Sequence, residues 1–250
     1  MSKREILLLG RDPVLPVGAE EALQLIAARD PAAPLAYVVS VNVQHMVMAE
    51  RPETGLAPAM AAAWLRLNDS RVLARLHRMV TGEEVPLALG SDLATLMLER
   101  VIRPEDPIAI IGGGPHLVAA LRDKYRLQRI AQHEPPMGYM AMPEAREAAI
   151  EFARTNPARF LFVSTGAPGS EILLAEMEAR GGFTGTGLAF GSALLFSVGL
   201  SQRAPGWMQQ ANLEWLHRAL TSPGRLGRRY ARDLPPLLRQ TWRAWRAHHR

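Results

Sequence analysis

The chain has 250 residues, with 29 Lys+Arg against 24 Asp+Glu for a formal net charge of +5, 48% hydrophobic and 21% charged residues. These are globular values that exclude wholesale disorder, and the length suffices for one large domain or two small ones. With no cysteine, disulfides, zinc–thiolate centres and cysteine nucleophiles are excluded, and a reducing compartment is permitted.

Taken in order, Ile6 to Leu9 reads as a buried strand ended by Gly10, and the N-terminal apolar run is too short for a signal peptide. Ala19 to Arg29 has helical spacing and stops at Asp30-Pro31. Ala36 to Val41 is a second strand, followed by Asn42, which can cap a helix or point into the cleft where open α/β sheets bind ligands. His45 lies one turn further on and reads as a packed or surface histidine. Ala57 to Leu67 reads as another helix, and Asp69 follows it, an N-cap or a base.

Gly90-Ser91-Asp92-Leu93 reads as a loop opening a helix from Leu93 to Arg100, with Asp92 capping the helix or holding a sugar hydroxyl. Pro107 to Ile111 is a strand running into Gly112-Gly113-Gly114-Pro115 and a helix over Val118 to Leu121. A dinucleotide fingerprint fails there because Leu117 stands at the third glycine position. Ala145 to Arg154 is a helix and Arg159 to Ser164 a strand. The strand leads through Gly166 and Pro168 to a helix whose first turn holds Glu171, complementing the helix dipole. The uncharged run from Gly181 to Gln202 is glycine-rich and reads as buried strand and loop, with a strand over Leu188 to Phe196, and not as a membrane span. The alternation of strand, Gly-containing turn and helix predicts an α/β fold, a Rossmann-like, mainly parallel sheet flanked by helices.

Beyond Gln202 the character changes. Trp207, Leu213, Trp215, Leu216 and Leu220 lie among Arg203, Arg218, Arg225, Arg228 and Arg229, and from Arg218 to the end there is a single acid, Asp233. This asymmetry points to an anionic partner. We divide the chain at this change, residues 1–202 as an α/β core and 203–250 as a basic, helical C-terminal appendage. In the tail, Leu234 to Leu238, Trp242 and Trp245 interleave with Arg232, Arg239, Arg243, Arg246 and Arg250. That pattern suits an anionic membrane surface better than nucleic acid or plain solvent.

Read together, the separated motifs resemble the WecG/TagA/CpsF family of bacterial glycosyltransferases from about Tyr37 to Tyr230. The segment RAPGWMQQANLEWLHRALTSPGRLGRRY carries the match, with Arg203, Trp207, Glu214, Trp215, Arg218, Pro223, Arg225 and Arg228 in register. Ser40-Val41-Asn42 is similar to the family's T-P-N turn, Asn68-Asp69 to the loop with its D-G pair, and Gly90 to Leu93 to its G-S-D-L. Gly112 to Pro115 resembles its glycine loop, and Gly166, Pro168 and Glu171 match G-x-P-x-Q-E. The departures are Val41 for the proline, Ser70 for a glycine, Ser170 for the glutamine, Ala211-Asn212 at a glycine, and Leu195 for an aspartate near the end of the last strand.

The resemblance implies inverting, metal-independent transfer of a sugar (N-acetylmannosamine, its uronic acid, or glucose) from a UDP-sugar to a polyprenyl-diphosphate-linked saccharide. It places that reaction in cell-surface polysaccharide synthesis, at the cytoplasmic face of the membrane, with self-association allowed and no cofactor beyond the UDP-sugar co-substrate. Asp69 matches the proposed base. Ser40, Asn42, Gly90, Ser91, Asp92, Gly112, Gly113, Gly114, Gly166, Pro168 and Glu171 would line the donor site. Arg203, Arg218, Arg225, Arg228 and Arg229 would meet diphosphate or membrane. Two other readings stand beside it. One is a catalytically impaired relative acting as a scaffold in polysaccharide assembly, and the other a nicotinamide-dependent oxidoreductase resting on the Gly112 to Gly114 turn.

Overall fold

A computed structural model of the chain describes residues 5–201, 204–205, 208, 220, 224 and 227–250. A short antiparallel hairpin, β1 (Ile6–Leu8) and β2 (Asp12–Val14), precedes helix α1 (Ala19–Ala27). The body alternates β3 (Ala36–Val41), α2 (Val43–Ala49), α3 (Leu56–Ala62), β4 (Leu65–Asn68), α4 (Arg71–Thr81), α5 (Gly90–Arg100), β5 (Ile108–Gly112) and α6 (Leu117–Tyr125). It continues with β6 (Ile130–His133), α7 (Pro143–Thr155), β7 (Phe160–Ser164), α8 (Gly169–Arg180), β8 (Thr186–Ala189), α9 (Ala193–Ser197) and, after the basic segment, α10 (Arg228–His248).

The body strands form one six-stranded sheet in the order β4-β3-β8-β7-β5-β6, parallel throughout. Period-two alternation sends neighbouring side chains to opposite faces. Tyr37, Val39, Val41, Ala109, Ile111, Leu161 and Val163 join one core with residues of α2, α3, α4, α7, α8 and α10. Val38, Ile108, Ile110, Phe160, Phe162 and Leu188 join the other with α1, α5, α6 and α9. Both faces of the sheet are covered, which is why its strands read as continuous apolar runs.

Three sequence expectations are corrected here. The helix expected over Ala57 to Leu67 ends at Ala62, and Leu65–Asn68 is an edge strand. Its Leu-Arg-Leu alternation buries Leu65 and Leu67, while Arg66 donates to the carbonyls of Met60 and Ala61 (2.9 Å each) and Ala63 (3.2 Å), satisfying the end of α3. A strand not expected, β6, adds to the sheet beside β5. The expected strand from Leu188 to Phe196 stops at Ala189; Gly191 (φ 52°) turns the chain and Leu195 falls on α9 instead of a strand end.

Helix α10 runs back along the molecule against α2 and α4. Asp233, Leu237 and Gln240 form its buried side, with Gln240 Nε2 donating to the Met46 carbonyl at 3.5 Å. Pro235 and Pro236 sit inside the helix without ending it. Among the described residues no helix is long and apolar enough to cross a membrane.

The β2 residue Asp12 is buried, and its Oδ2 has no hydrogen-bond partner among the described residues. Burial pushes its carboxyl up from the ordinary 3.8 to about 6, against the charge of Arg11 and with that of Glu50. The folded state therefore holds this proton to higher pH than the unfolded chain. Stability should be greatest below about pH 4 for this group and fall as pH rises to about 6, by roughly 3 kcal/mol. Urea titrations across that window should show the loss in wild type and its absence in Asp12→Asn.

Candidate active site

The polar residues singled out in the sequence gather at the carboxyl ends of the parallel strands, where ligands bind in open α/β sheets. At one side, β3 and β4 end in register (Val41 opposite Asn68), so Asn42 and Asp69 leave the sheet side by side. The Asp69 N–H donates to the Val41 carbonyl at 2.8 Å. Asn42 is the N-cap of α2: its Oδ1 accepts from Gln44 N at 3.0 Å, and its own N–H donates to His45 Nδ1 at 3.4 Å. With Nδ1 accepting, Nε2 carries the ring proton and donates to Glu171 Oε1 at 3.0 Å. Both partners are buried, at 4% and 2% exposure, and Glu171 Oε2 has no hydrogen-bond partner among the described residues. A carboxylate this deep is costly unless hydrogen-bonded, so the contact locks α2 to α8. Glu171 is thus more than the dipole complement expected from sequence, and His45 is packed for a definite reason.

Asp69 is not the N-cap of α4. That role falls to Ser70, whose hydroxyl accepts from Leu73 N at 3.2 Å while its N–H donates to Asn68 Oδ1 at 3.1 Å. Ser70 has φ −141°, a conformation open to any residue, so the backbone here does not require the family's glycine. The Asp69 carboxylate instead reaches across to α5, accepting from Gly90 N at 3.0 Å through Oδ1. The helix begins at Gly90 itself, so Gly90, Ser91 and Asp92 form its first turn and not a preceding loop, and the N-cap is Leu89 in place of Asp92. Negative charge is favoured there by the exposed N–H groups and the helix dipole. Gly90 packs tightly: a methyl group on it would stand 3.3 Å from Ser40 Oγ and 3.6 Å from the Phe190 ring. Ser40 Oγ in turn donates to the Ala189 carbonyl at 3.3 Å.

The other side is built at β5 and β7. These neighbours pair in register to Gly112 and Ser164, yet their connections diverge. From β5 the chain passes to α6 on one face and on to β6; from β7 it passes to α8 on the opposite face and back to β8. This is a topological switch point, and it opens a crevice between the two following loops. Gly112 (φ 84°) is in a conformation that side chains disfavour, and a methyl group there would press at 3.0 Å on Thr165 Cγ2 and 3.2 Å on the Ser164 carbonyl carbon. At Gly113 (φ 96°) the space is filled by Leu117 Cδ2, 2.4 Å from where a methyl group would sit. The missing third glycine thus has a packing consequence: Leu117 braces the loop from below.

Two residues that sequence reasoning missed hold this loop. Gln132 Nε2 donates to the Gly112 and Gly114 carbonyls at 3.0 and 2.9 Å, and Glu134 Oε2 accepts from Gly114 N at 2.8 Å. The signal that could have found Glu134 is its position, an acid 20 residues after a strand–glycine turn, as in nucleotide-binding folds. Across the crevice, Thr165 Oγ1 bonds Tyr139 Oη at 3.1 Å and Ser170 Oγ at 3.2 Å, and Ser170 donates to the Gly166 carbonyl at 3.4 Å. Gly166 (φ 86°) and Pro168, the latter in a cis peptide bond, form the half-buried turn. Burial pushes the Tyr139 phenol above its ordinary range, against the Thr165 bond and with the Glu171 charge.

Arg229 of the appendage reaches the site. Arg229 Nη1 donates to Gln44 Oε1 at 2.9 Å, and Gln44 Nε2 donates to the Ala167 carbonyl at 3.5 Å, so α10 is linked through α2 to the Gly166–Pro168 turn. Arg228 is exposed beside it. Arg203, Arg218 and Arg225, and with them Trp207, Glu214, Trp215 and Pro223, lie outside the described residues. Among the described residues no three His, Asp or Glu side chains converge as a metal-binding set. The sequence profile of the glycosyl transferase WecG/TagA/CpsF family matches residues 8–250.

Removing the histidine should leave Glu171 unpaired in the core. His45→Ala is expected to lower the unfolding free energy by about 2–4 kcal/mol in urea denaturation at neutral pH; an unchanged midpoint would mean that α2 and α8 are held by other contacts.

Proposed function

The chain belongs to the glycosyl transferase WecG/TagA/CpsF family, and from that premise we propose that it transfers a sugar, with inversion, from a UDP-sugar to a polyprenyl-diphosphate-linked saccharide. A transferase role in cell-surface polysaccharide synthesis follows from the family; donor, acceptor and stereochemistry are our reading. The observation that carries it is Asp69, a carboxylate aimed from the end of β4 and oriented by the Gly90 N–H.

In this mechanism the acceptor hydroxyl oxygen attacks the anomeric carbon on the face opposite the nucleotide. The bond from that carbon to the diphosphate oxygen breaks, the electron pair leaves with UDP, and Asp69 takes the hydroxyl proton. Four inter-strand steps separate β4 from β5, about 19 Å at the usual strand spacing. That span suits a nucleotide in the β5/β7 crevice, a diphosphate against the glycine loop, and a sugar over β8 and β3 near Ser40 and Asn42. Arg228 and Arg229 of α10 would neutralise the leaving diphosphate together with Arg203, Arg218 and Arg225. No metal or cofactor enters this scheme.

Glu134 fits a role in holding the ribose. An acid at the end of the strand after a glycine turn reads ribose hydroxyls in nucleotide-binding folds, and Glu134 occupies that position beside Gly114. The exposed apolar side of α10 (Leu234, Leu238, Trp242 and Trp245), beside its arginines, supports docking on the anionic inner face of the membrane, where the acceptor lipid resides. A second reading is favoured by Ser170, whose hydroxyl is turned inward onto Thr165 and Gly166 and does not replace the family's glutamine amide. On that reading the protein binds a UDP-sugar and scaffolds an assembly complex without transfer.

UDP release measured with a panel of UDP-sugars and a lipid-diphosphate acceptor separates the two. Turnover should depend on acceptor and fall about 10²–10⁴-fold in Asp69→Asn; donor binding without turnover in wild type would favour the scaffold. Glu134→Gln should raise KM for the donor about tenfold or more with kcat little changed, and an unaltered KM would remove Glu134 from donor binding.

A further inference from the structure

A second cationic site lies away from the sheet's carboxyl edge, at the opposite end of α2. Glu50, the C-cap of that helix, is eight positions beyond Asn42, about 12 Å along the axis. Around it converge Arg11 from the β1–β2 hairpin, Arg51 from the turn after α2, and Arg239 and Arg243 from α10, with Pro236 completing a cleft of about 330 Å³. Arg11 Nη1 and Arg239 Nη2 reach the Glu50 oxygens at 2.8 and 2.9 Å, and Arg243 Nη1 approaches at 3.9 Å. Burial alone would raise the Glu50 carboxyl, but bonds from Gln240 and Arg239 and the charges of Arg11 and Arg239 outweigh it and hold the group below its ordinary range.

The charges do not balance. Four guanidiniums line the cleft against one carboxylate, and even with Asp12, which feels the charges of Arg11 and Glu50, the cations are in excess; Arg51 makes no ion pair among the described residues. Glu50 is sunk at 12% side-chain exposure, whereas Arg11, Arg239 and Arg243 stand at 45–58% above it. The carboxylate gathers Arg11, Arg239 and Arg243, and the four guanidiniums together carry far more N–H donors than a single acid can use. An anion with three acceptor oxygens and up to two charges matches this better than a second carboxylate, because arginine forks engage phosphate bidentately.

The helix surface narrows the source. At about 100° per residue, Asp233, Leu237 and Gln240 face the core, while Leu234, Leu238, Trp242 and Trp245 form a separate, half-exposed apolar stripe. Arg239 and Arg243 lie between that stripe and the core-facing side, and Arg239 neighbours Trp242 three positions on, so the cleft opens beside the stripe. We infer that the Arg11–Arg51–Arg239–Arg243 cleft is a phosphate-binding site distinct from the donor and acceptor site. Its ligand is a phosphate group, supplied either by an anionic lipid headgroup or by a soluble phosphate.

Calorimetric titration with inorganic pyrophosphate, and co-sedimentation with phosphatidylcholine vesicles with and without phosphatidylglycerol, test this on the full chain. Arg51→Gln breaks no ion pair among the described residues, so it should leave the circular dichroism spectrum and melting unchanged while weakening the affected binding about tenfold. With the donor site first filled by saturating UDP, Arg229→Gln and Asp69→Asn, which touch that other site, should not weaken the remaining pyrophosphate or vesicle binding. Loss of pyrophosphate binding alone identifies a soluble anion site; loss of the phosphatidylglycerol-dependent capture identifies a headgroup site. Binding of both probes at wild-type strength in Arg51→Gln and in Arg239→Gln, or binding lost only in Arg229→Gln or Asp69→Asn, overturns the inference.

Discussion

A single buried hydrogen bond, His45 Nε2 to Glu171 Oε1, sets the spacing on which the rest of the candidate site depends. It joins the first turn of α2, which follows β3, to the first turn of α8, which follows β7, across the intervening β8. Because Asn42 donates to the other ring nitrogen, the same imidazole also fixes the turn leaving β3. A carboxylate nearly sealed from water tolerates little displacement of its donor. The two loops that flank the centre of the sheet are therefore held at one separation, and the ends of β3 and β7 act as a rigid frame.

On either side of that frame the backbone does the positioning. Asp69 is held by an N–H at the start of α5, and the glycine loop by Gln132 and Glu134, so each functional group is oriented by an element distant in sequence. Divergence of the chain at β5 and β7 opens space between them without a special loop. A parallel sheet delivers all its strand ends to one edge, and this edge spreads the Asp69 carboxylate, the Ser40 hydroxyl and the Gly112–Gly114 turn along one line.

Helix α10 serves three surroundings with three sides. Its buried side secures it to α2 and α4, its start brings Arg229 to Gln44, and its remaining surface is divided between aromatic and cationic strips. Docking on α2 makes one helix common to both arginine contacts: Gln44 at its beginning takes Arg229 and Glu50 at its end takes Arg239. A shift of α10 along α2 would disturb both contacts together.

Much of this was legible in the chain. Apolar runs located β3, β5 and β7, because burial on both faces leaves few polar positions within such strands. The family motifs placed Asp69 and the glycine loop on turns, and the charge asymmetry marked α10. What the sequence alone could not separate were short apolar segments of ambiguous period: Ala57 to Leu67 and Leu188 to Phe196 each hold a strand and a helix, divided by a turn. Only tertiary structure paired His45 with Glu171, moved Asp69 from capping α4 to holding α5, set Glu134 against Gly114, and gathered four arginines from three elements around Glu50. The physical reason is the same throughout: local sequence encodes periodicity and turn chemistry over a few residues, whereas these contacts join positions from 20 to nearly 190 residues apart and exist only once the sheet order has brought them together.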